Sequence, residues 1–369
     1  MRQLILAPLL LALAAPAFGQ TFTCMPSGSG TLRVLDGNHG YDQFMSHTNA
    51  SGDVIDARTA AFRFNNSVWP IPTNTRNSGP RGCNDPDAPN PLPVNRYPIS
   101  IRNAVDVCWQ GGTVIGDVSW ISDWRPQYCN SAGFLLYSGV ERFTIEGLRM
   151  DGTWDGIRVG GSADPDTTHT YRYVWLSNIR DDCLENDNGR NLVVEDSLFE
   201  NCGQSFISAD SGSVGGNSHR ETHLMTFRRV LVSFRSSPNV ATGDGFRPKI
   251  IKGDPLAPSV VFYDSVINLP AWHNGLNGRY AGGWDMIRDS GLCETAANNN
   301  VFLWTADTPF PWEAGSPHAA FWPWYDPGID PLPPCFAVRK KGREAREHWS
   351  TARAAWLREH PELPRIEGD

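Results

Sequence analysis

Residues 178–188 read Asn-Ile-Arg-Asp-Asp-Cys-Leu-Glu-Asn-Asp-Asn, and four of the seven positions from Asp181 to Asp187 are carboxylates. Acids at this density repel one another unless they are solvated, share protons, face cations or bind a metal. One outcome is a plain solvated turn, since Asp and Asn are ordinary turn formers. The other is a site: two carboxylates held close in a partly dry groove cannot both ionise cheaply, so one keeps its proton and the pair supplies an acid and a base at neutral pH. The candidates for that pair are Asp181 or Asp182 with Glu200. Arg180 lies beside them as a cation that can pair with either aspartate.

Whether these residues meet depends on the elements that carry them. Five segments align: FTIEGLRMDG (143–152), VWLSNIRDDC (174–183), VVEDSLFENC (193–202), MTFRRVLVSF (225–234) and VFYDSVINLP (261–270). Their sixth column, Leu148, Ile179, Leu198, Val230 and Val266, is aliphatic throughout and predicts one inward-facing column; their fourth is polar throughout. Short strands in a common phase at intervals of tens of residues suggest the stacked coils of a parallel β-helix, in which each coil needs its neighbours to bury a face. GGTVIGDVSW (111–120) and AGFLLYSG (132–139) read as less regular coils of the same stack. A β-sandwich is the competing architecture, although it favours hairpin turns every 8 to 12 residues or so. In this alignment Asp181 and Glu200 stand directly above one another on adjacent rungs.

The remaining features bound the answer. The first 19 residues, with an apolar run from Leu4 to Ala15 and small residues at Ala17 and Gly19, read as a signal peptide too short for a membrane anchor. A soluble, secreted or periplasmic protein is expected. In such a compartment an even number of cysteines favours disulfides, and no Cys-x-x-Cys pair suggests zinc. Cys183 and Cys202 end adjacent rows, so a rung-to-rung bond between them is expected, with two buried free thiols as the alternative. A formal net charge of −8 argues against a nucleic-acid partner. The predicted organisation is an N-terminal segment over 20–99 with a proline-rich loop, the β-helix over 100–300, and an aromatic- and proline-rich segment with a C-terminal α-helix over 301–369. In that helix Ala345, Trp349, Ala352 and Trp356 form one stripe, Pro361 stops it, and packing on the side or end of the stack is expected.

The coil pattern and exported context resemble the right-handed parallel β-helix (pectin lyase-like) superfamily that includes pectate lyases and polygalacturonases, over residues 100–270. Asp181-Asp182-Cys183 resembles the Asp-Asp-Cys that carries catalytic carboxylates in polygalacturonases, and GSVGG (212–216) and RPKIIK (247–252) follow in that family's motif order. Gly203-Gln204-Ser205 stands where Gly-His-Gly is expected, and no Asn-Thr-Asp precedes the pair. The resemblance implies a groove that binds a polysaccharide chain, and a monomer is expected. Elimination on a uronate polymer would use Asp181, Asp182 and Glu185 as Ca²⁺ ligands, with Arg247, Lys249 or Lys252 as cation and base. Hydrolysis would use the paired carboxylates. The missing histidine tilts the reading toward elimination. Arg180, His219, Lys252 and Trp312 are the expected substrate contacts. A non-catalytic glycan-binding or surface-structural β-helix is the alternative from another class.

Overall fold

Short runs of β-branched and aromatic residues, none long enough to bury its own apolar face, stack in the computed structural model into a parallel β-helix. The structure describes residues 23–40, 45–63, 97–118, 120, 133–160, 166–209, 222–235, 249–253, 257–269, 292–293, 296–305 and 335–366. The strands are β1 (Leu32–Gly40), β2 (Met45–Ser51), β3 (Val54–Arg63), β4 (Ile99–Val105), β5 (Cys108–Gln110), β6 (Thr113–Ile115) and β7 (Phe134–Leu136). They continue as β8 (Thr144–Glu146), β9 (Arg149–Asp151), β10 (Ile157–Val159), β11 (Thr168–Arg172), β12 (Trp175–Ser177), β13 (Asp182–Asn186) and β14 (Asn191–Cys202). The last are β15 (Ser205–Ala209), β16 (Leu224–Phe234), β17 (Lys249–Gly253), β18 (Ser259–Tyr263), β19 (Val266–Leu269), β20 (Val301–Trp304) and β21 (Val338–Lys341), and helix α1 (Gly342–Glu359) follows.

One sheet runs β17-β15-β13-β10-β7-β4-β2 and the other holds the remaining 14 strands, with parallel pairing in both. The larger sheet is bent along its length by a column of residues in the left-handed region: Gly147 (φ 73°), Tyr173 (φ 56°), Asp196 (φ 47°), Arg229 (φ 50°) and Asp264 (φ 49°). Only the first is glycine, so each of the others costs about 1–2 kcal/mol of backbone strain, which the stacked coils around it offset. A second corner is built from asparagines: Asn178 (φ 54°) and Asn201 (φ 58°) stack so that Asn201 Nδ2 donates to Asn178 Oδ1 at 3.0 Å, and Asn178 Nδ2 to Asp151 Oδ1 at 2.8 Å.

The stack is longer than the interval 100–300. β1–β3 and β20–β21 pair into the same sheets, because Val54–Arg63 and Val301–Trp304 alternate or run apolar like the central strands. The predicted strands at 111–120 and 132–139 are β6 and β7. The helix runs as predicted and ends before Pro361. It lies on the side of the stack, where Ala345 and Trp356 pack on Trp175, Leu198, Leu231 and Val266. The proline-rich segment 77–96 and the aromatic segment 306–334 lie outside the described residues. Among the described residues no helix is long and apolar enough to cross a membrane.

The five-row alignment needs correction. Leu148, Ile179 and Val230 lie in the main interior core, but Leu198 and Val266 face outward beneath α1. The true column is Arg149, Trp175, Leu198, Leu231 and Val266, with Met150, Leu176, Phe199, Val232 and Ile267 stacked inside it. Rows three and five are displaced by one residue from rows one and four, which sets Leu198 and Val266 level with Arg149 and Leu231, and a slip of one exchanges the two faces of a strand. Row two is displaced further: VWLS belongs to the second half of a coil whose first half is Thr168–Arg172.

Candidate active site

The register places Asp181 and Glu200 on different surfaces. Glu200 stacks on Ser177 in the larger sheet. There it accepts from Trp175 Nε1 at 2.8 Å and from Arg353 Nε of α1 at 2.5 Å, which makes it part of the helix attachment. Asp181 occupies the next corner, and Asp182 opens β13 in the smaller sheet opposite Ser205. The expected Asp181–Glu200 pair does not form.

A different carboxylate takes its place. Successive coils are closely apposed at this corner: the Asp181 amide donates to the Trp154 carbonyl at 2.8 Å, Gly156 N to the Asp182 carbonyl at 3.0 Å, and Gln204 N to the Asp181 carbonyl at 2.8 Å. A Cβ on Gly156 would lie 2.1 Å from the Cys183 carbonyl oxygen, and one on Gly203 2.1 Å from that of Arg180, so both positions require glycine. The Cys183–Cys202 disulfide, with Cα atoms 5.5 Å apart, ties the same corner from the inside. It joins the expected partners, but across the corner: Asp182, the residue before Cys183, pairs with Ser205, while Cys202 pairs with Phe234. This close packing sets Asp155 beside Asp181 and Asp182. Its only signal in the sequence is an isolated acid in Thr153-Trp154-Asp155-Gly156, one coil before the crowded stretch.

The polar groups are held from both ends. Asp182 Oδ2 accepts from Lys252 Nζ at 2.8 Å and its Oδ1 from Ser205 Oγ at 2.5 Å. Gln204, with its amide oriented to satisfy both neighbours, donates to Asp181 Oδ1 at 3.3 Å and accepts from Lys252 Nζ at 3.2 Å. Along the outer face of the smaller sheet Arg158, Glu185, Ser208 and Lys252 form one column over the inward Ile157, Leu184, Ile207 and Ile251. Arg158 reaches Glu185 Oε2 at 3.3 Å and Asp187 Oδ2 at 3.2 Å, and Tyr97 OH donates to Glu185 Oε2 at 3.2 Å. Arg180 lies beside this group, its guanidinium 5.7 Å from the Trp120 ring and 6.0 Å from that of Trp154.

Burial dominates the electrostatics. It pushes the Asp155 carboxyl well above the usual range, reinforced by the charges of Glu185, Asp181 and Asp182. Asp181 is raised by burial and then by Asp182, with Lys252 opposing. Glu185 is pushed up to about 7 by burial, against the pull of Arg158. Burial alone would lower Lys252, but Asp182 and Asp181 outweigh it and hold the ammonium protonated. Burial lowers Arg180 to about 10, with Asp181 in partial compensation. The result is a set of buried acids that retain protons next to an acid whose two oxygens accept from fixed donors.

Calcium does not suit this arrangement. Asp182 and Glu185 already accept from Lys252, Ser205, Tyr97 and Arg158. Among the described residues the three side chains whose ligand atoms converge within 4.8 Å are Cys24, Cys108 and Glu146, where the two sulfurs are bonded to each other. Of the other predicted site residues, Arg247, His219 and Trp312 lie outside the described residues, as does the side chain of Lys249, whose backbone pairs with Ser205. A cavity of about 460 Å³ lies elsewhere, between Met25, Leu32, Val54 and Pro364, and the acid cluster does not line it. Disulfides Cys24–Cys108, Cys183–Cys202 and Cys293–Cys335 indicate an oxidising compartment. No family model, curated protein or solved structure matches the chain.

Proposed function

We propose that this protein is an exported, pectin lyase-like polysaccharide hydrolase, and that the acids on the smaller sheet cleave glycosidic bonds of an acidic polymer. The observation that carries this reading is the division of roles within one buried group. Asp181 and Asp155 are driven toward the protonated form by burial, while Asp182 is fixed by Lys252 and Ser205. Asp181, the most accessible of the three at 5 %, donates its proton to the leaving glycosidic oxygen. A water attacks the anomeric carbon as the C–O bond breaks, and its proton passes to Asp182. Gln204 and Lys252 keep the two aspartates in place.

Hydrolysis accounts for these residues better than elimination does. Elimination needs a base to remove a C5 proton, and of the candidates Arg247, Lys249 and Lys252 the one whose side chain is described, Lys252, is held protonated by Asp182 beside it. The acidic polymer is favoured by Arg235, exposed beside Trp120 with its guanidinium 4.8 Å from the ring.

The test is incubation with a panel of uronate polysaccharides, following reducing ends and the ultraviolet absorbance of unsaturated uronates. New ends without absorbance are expected. Absorbance rising with the ends would mean elimination, and binding without either product would mean a glycan-binding module.

A further inference from the structure

Beside the Arg158–Glu185–Ser208–Lys252 column, a second column crosses the outer face of the smaller sheet. Arg102 of β4 and the residues that follow β7, β10 and β13, namely Tyr137, Gly160 and Asp187, continue the register of those strands and stand level on successive rungs. Tyr137 is 43 % exposed, and no other phenylalanine, tyrosine or tryptophan side chain among the described residues is exposed. The exposed Arg102 lies against it, with the guanidinium carbon 3.9 Å from the ring centre, and pairs with no carboxylate among the described residues. On the far side of the ring the column lacks a side chain for one rung. A Cβ at Gly160 would lie 2.1 Å from the Leu136 carbonyl oxygen, so the position requires glycine. Tyr137 and Asp187 are therefore two rungs apart, about 10 Å at the usual strand spacing, with bare backbone between them.

We propose that Tyr137 and Arg102 form a distal binding subsite for the acidic polymer: one sugar ring lies over Gly160 against Tyr137, and the carboxylate of the next sugar outward is met by Arg102. This rests on the acid cluster of the same sheet being the active site.

The direction of the polymer follows from the rungs. Arg158, Asp182, Ser205 and Lys252 belong to β10, β13, β15 and β17, so a chain laid across them runs along the stack, and toward β4 it meets Gly160, Tyr137 and Arg102 in turn. From β13 to β4 is three rungs, about 14 Å, a span that more than one sugar must cover. Each group suits its part. An exposed phenol offers a flat apolar face to the C–H face of a sugar. A guanidinium stacked on a ring is pre-organised and keeps its planar fork for a carboxylate, which a lysine could not match. Asp187 does not repel the chain strongly, because Arg158 lies 3.2 Å from its Oδ2 and Ser208 Oγ donates to its Oδ1 at 3.1 Å.

The experiment is calorimetric titration of the full chain with uronate oligomers prepared from the polysaccharides of the same panel, with thermal unfolding as the control for folding. Arg102→Gln and Tyr137→Ala are each expected to weaken binding by about tenfold, the scale of one lost charge-assisted or stacking contact. With the methyl-esterified oligomer, which has no carboxylate, the effect of Arg102→Gln should vanish and that of Tyr137→Ala should persist. Arg343→Gln, at an 86 % exposed arginine on α1, should change neither affinity. Where the polymer is cleaved, the same factor should appear as a rise in KM rather than a fall in kcat. Wild-type affinity in either variant, or an Arg102→Gln loss that survives esterification, would overturn the proposal, as would a wild type that binds none of the oligomers. Binding that depends on both residues in a protein that cleaves nothing would keep the subsite and remove the hydrolase reading.

Discussion

Glu200 and Glu185 are both buried carboxylates on the outside of the β-helix, one on each sheet, and they differ in what surrounds them. Glu200 accepts from the Arg353 guanidinium and the Trp175 indole next to α1, beside the outer apolar cluster that holds Leu198, Leu231 and Trp356. Glu185 shares Arg158 with Asp187, while Asp182 and Asp181 share Lys252, and Asp155 has a buried oxygen with no hydrogen-bond partner. The first arrangement is a fastening. The second has more acids than cations to neutralise them, so protons make up the difference, and a buried group that gains and loses protons near neutrality can do acid–base work.

Removing one charge from each surface should separate them most clearly. Lys252→Met leaves Asp182 buried beside Asp181 without its ammonium, and is expected to cost about 3–5 kcal/mol, with loss of cleavage. Calorimetry should show part of that loss recovered in acid, where the aspartates are protonated. Equal damage at all pH values would mean that Lys252 serves only packing.

On the helix side, Glu200→Gln removes a charge-assisted bond at a partly exposed arginine. It is expected to cost about 2 kcal/mol in chemical unfolding while the cleavage rate stays within twofold. A large rate loss with an intact fold would return Glu200 to the catalytic group.

The smallest effect concerns pH. The Glu185 carboxyl is raised from 4.5 to about 7 by burial, so its contribution to stability is full below the unfolded value and is lost as pH rises through the folded one. Between about pH 4.5 and 7 stability should therefore fall, by at most on the order of 3 kcal/mol. Glu185→Gln should flatten that slope; an unchanged slope would assign it to Asp155 or Asp181.

The architecture was readable because aliphatic runs at roughly coil spacing have few other uses; the Cys183–Cys202 bond was expected from rows that the structure re-registers, and it forms across the corner between β13 and β14 instead. The phase between rows was not. The coils turn at Tyr173, Asp196, Arg229 and Asp264, residues that carry no glycine or proline signature for a left-handed corner, so neither corner nor one-residue slip shows in the sequence. The larger displacement of row two paired Asp181 with Glu200, where Ser177 stands. Asp155 and Tyr97 were missed for a related reason: each is a lone polar residue brought in by close coil packing or by a contact far along the chain. Lys252 stood out because it closes a cluster of basic residues, and its contact with Asp182 depends on β13, β15 and β17 being neighbours.

The central claim is that the acids of the smaller sheet perform the chemistry and the acid beneath the helix does not. It is tested most directly by measuring reducing-end release from a cleaved uronate polymer for Asp181→Asn, Asp182→Asn and Glu200→Gln side by side, with thermal unfolding of each. The account predicts that Asp181→Asn folds at least as stably as the wild type, that Asp182→Asn loses stability with its Lys252 ion pair, and that both lose about a hundredfold or more in rate, while Glu200→Gln loses stability and keeps its rate. Full activity in Asp181→Asn and Asp182→Asn would contradict it.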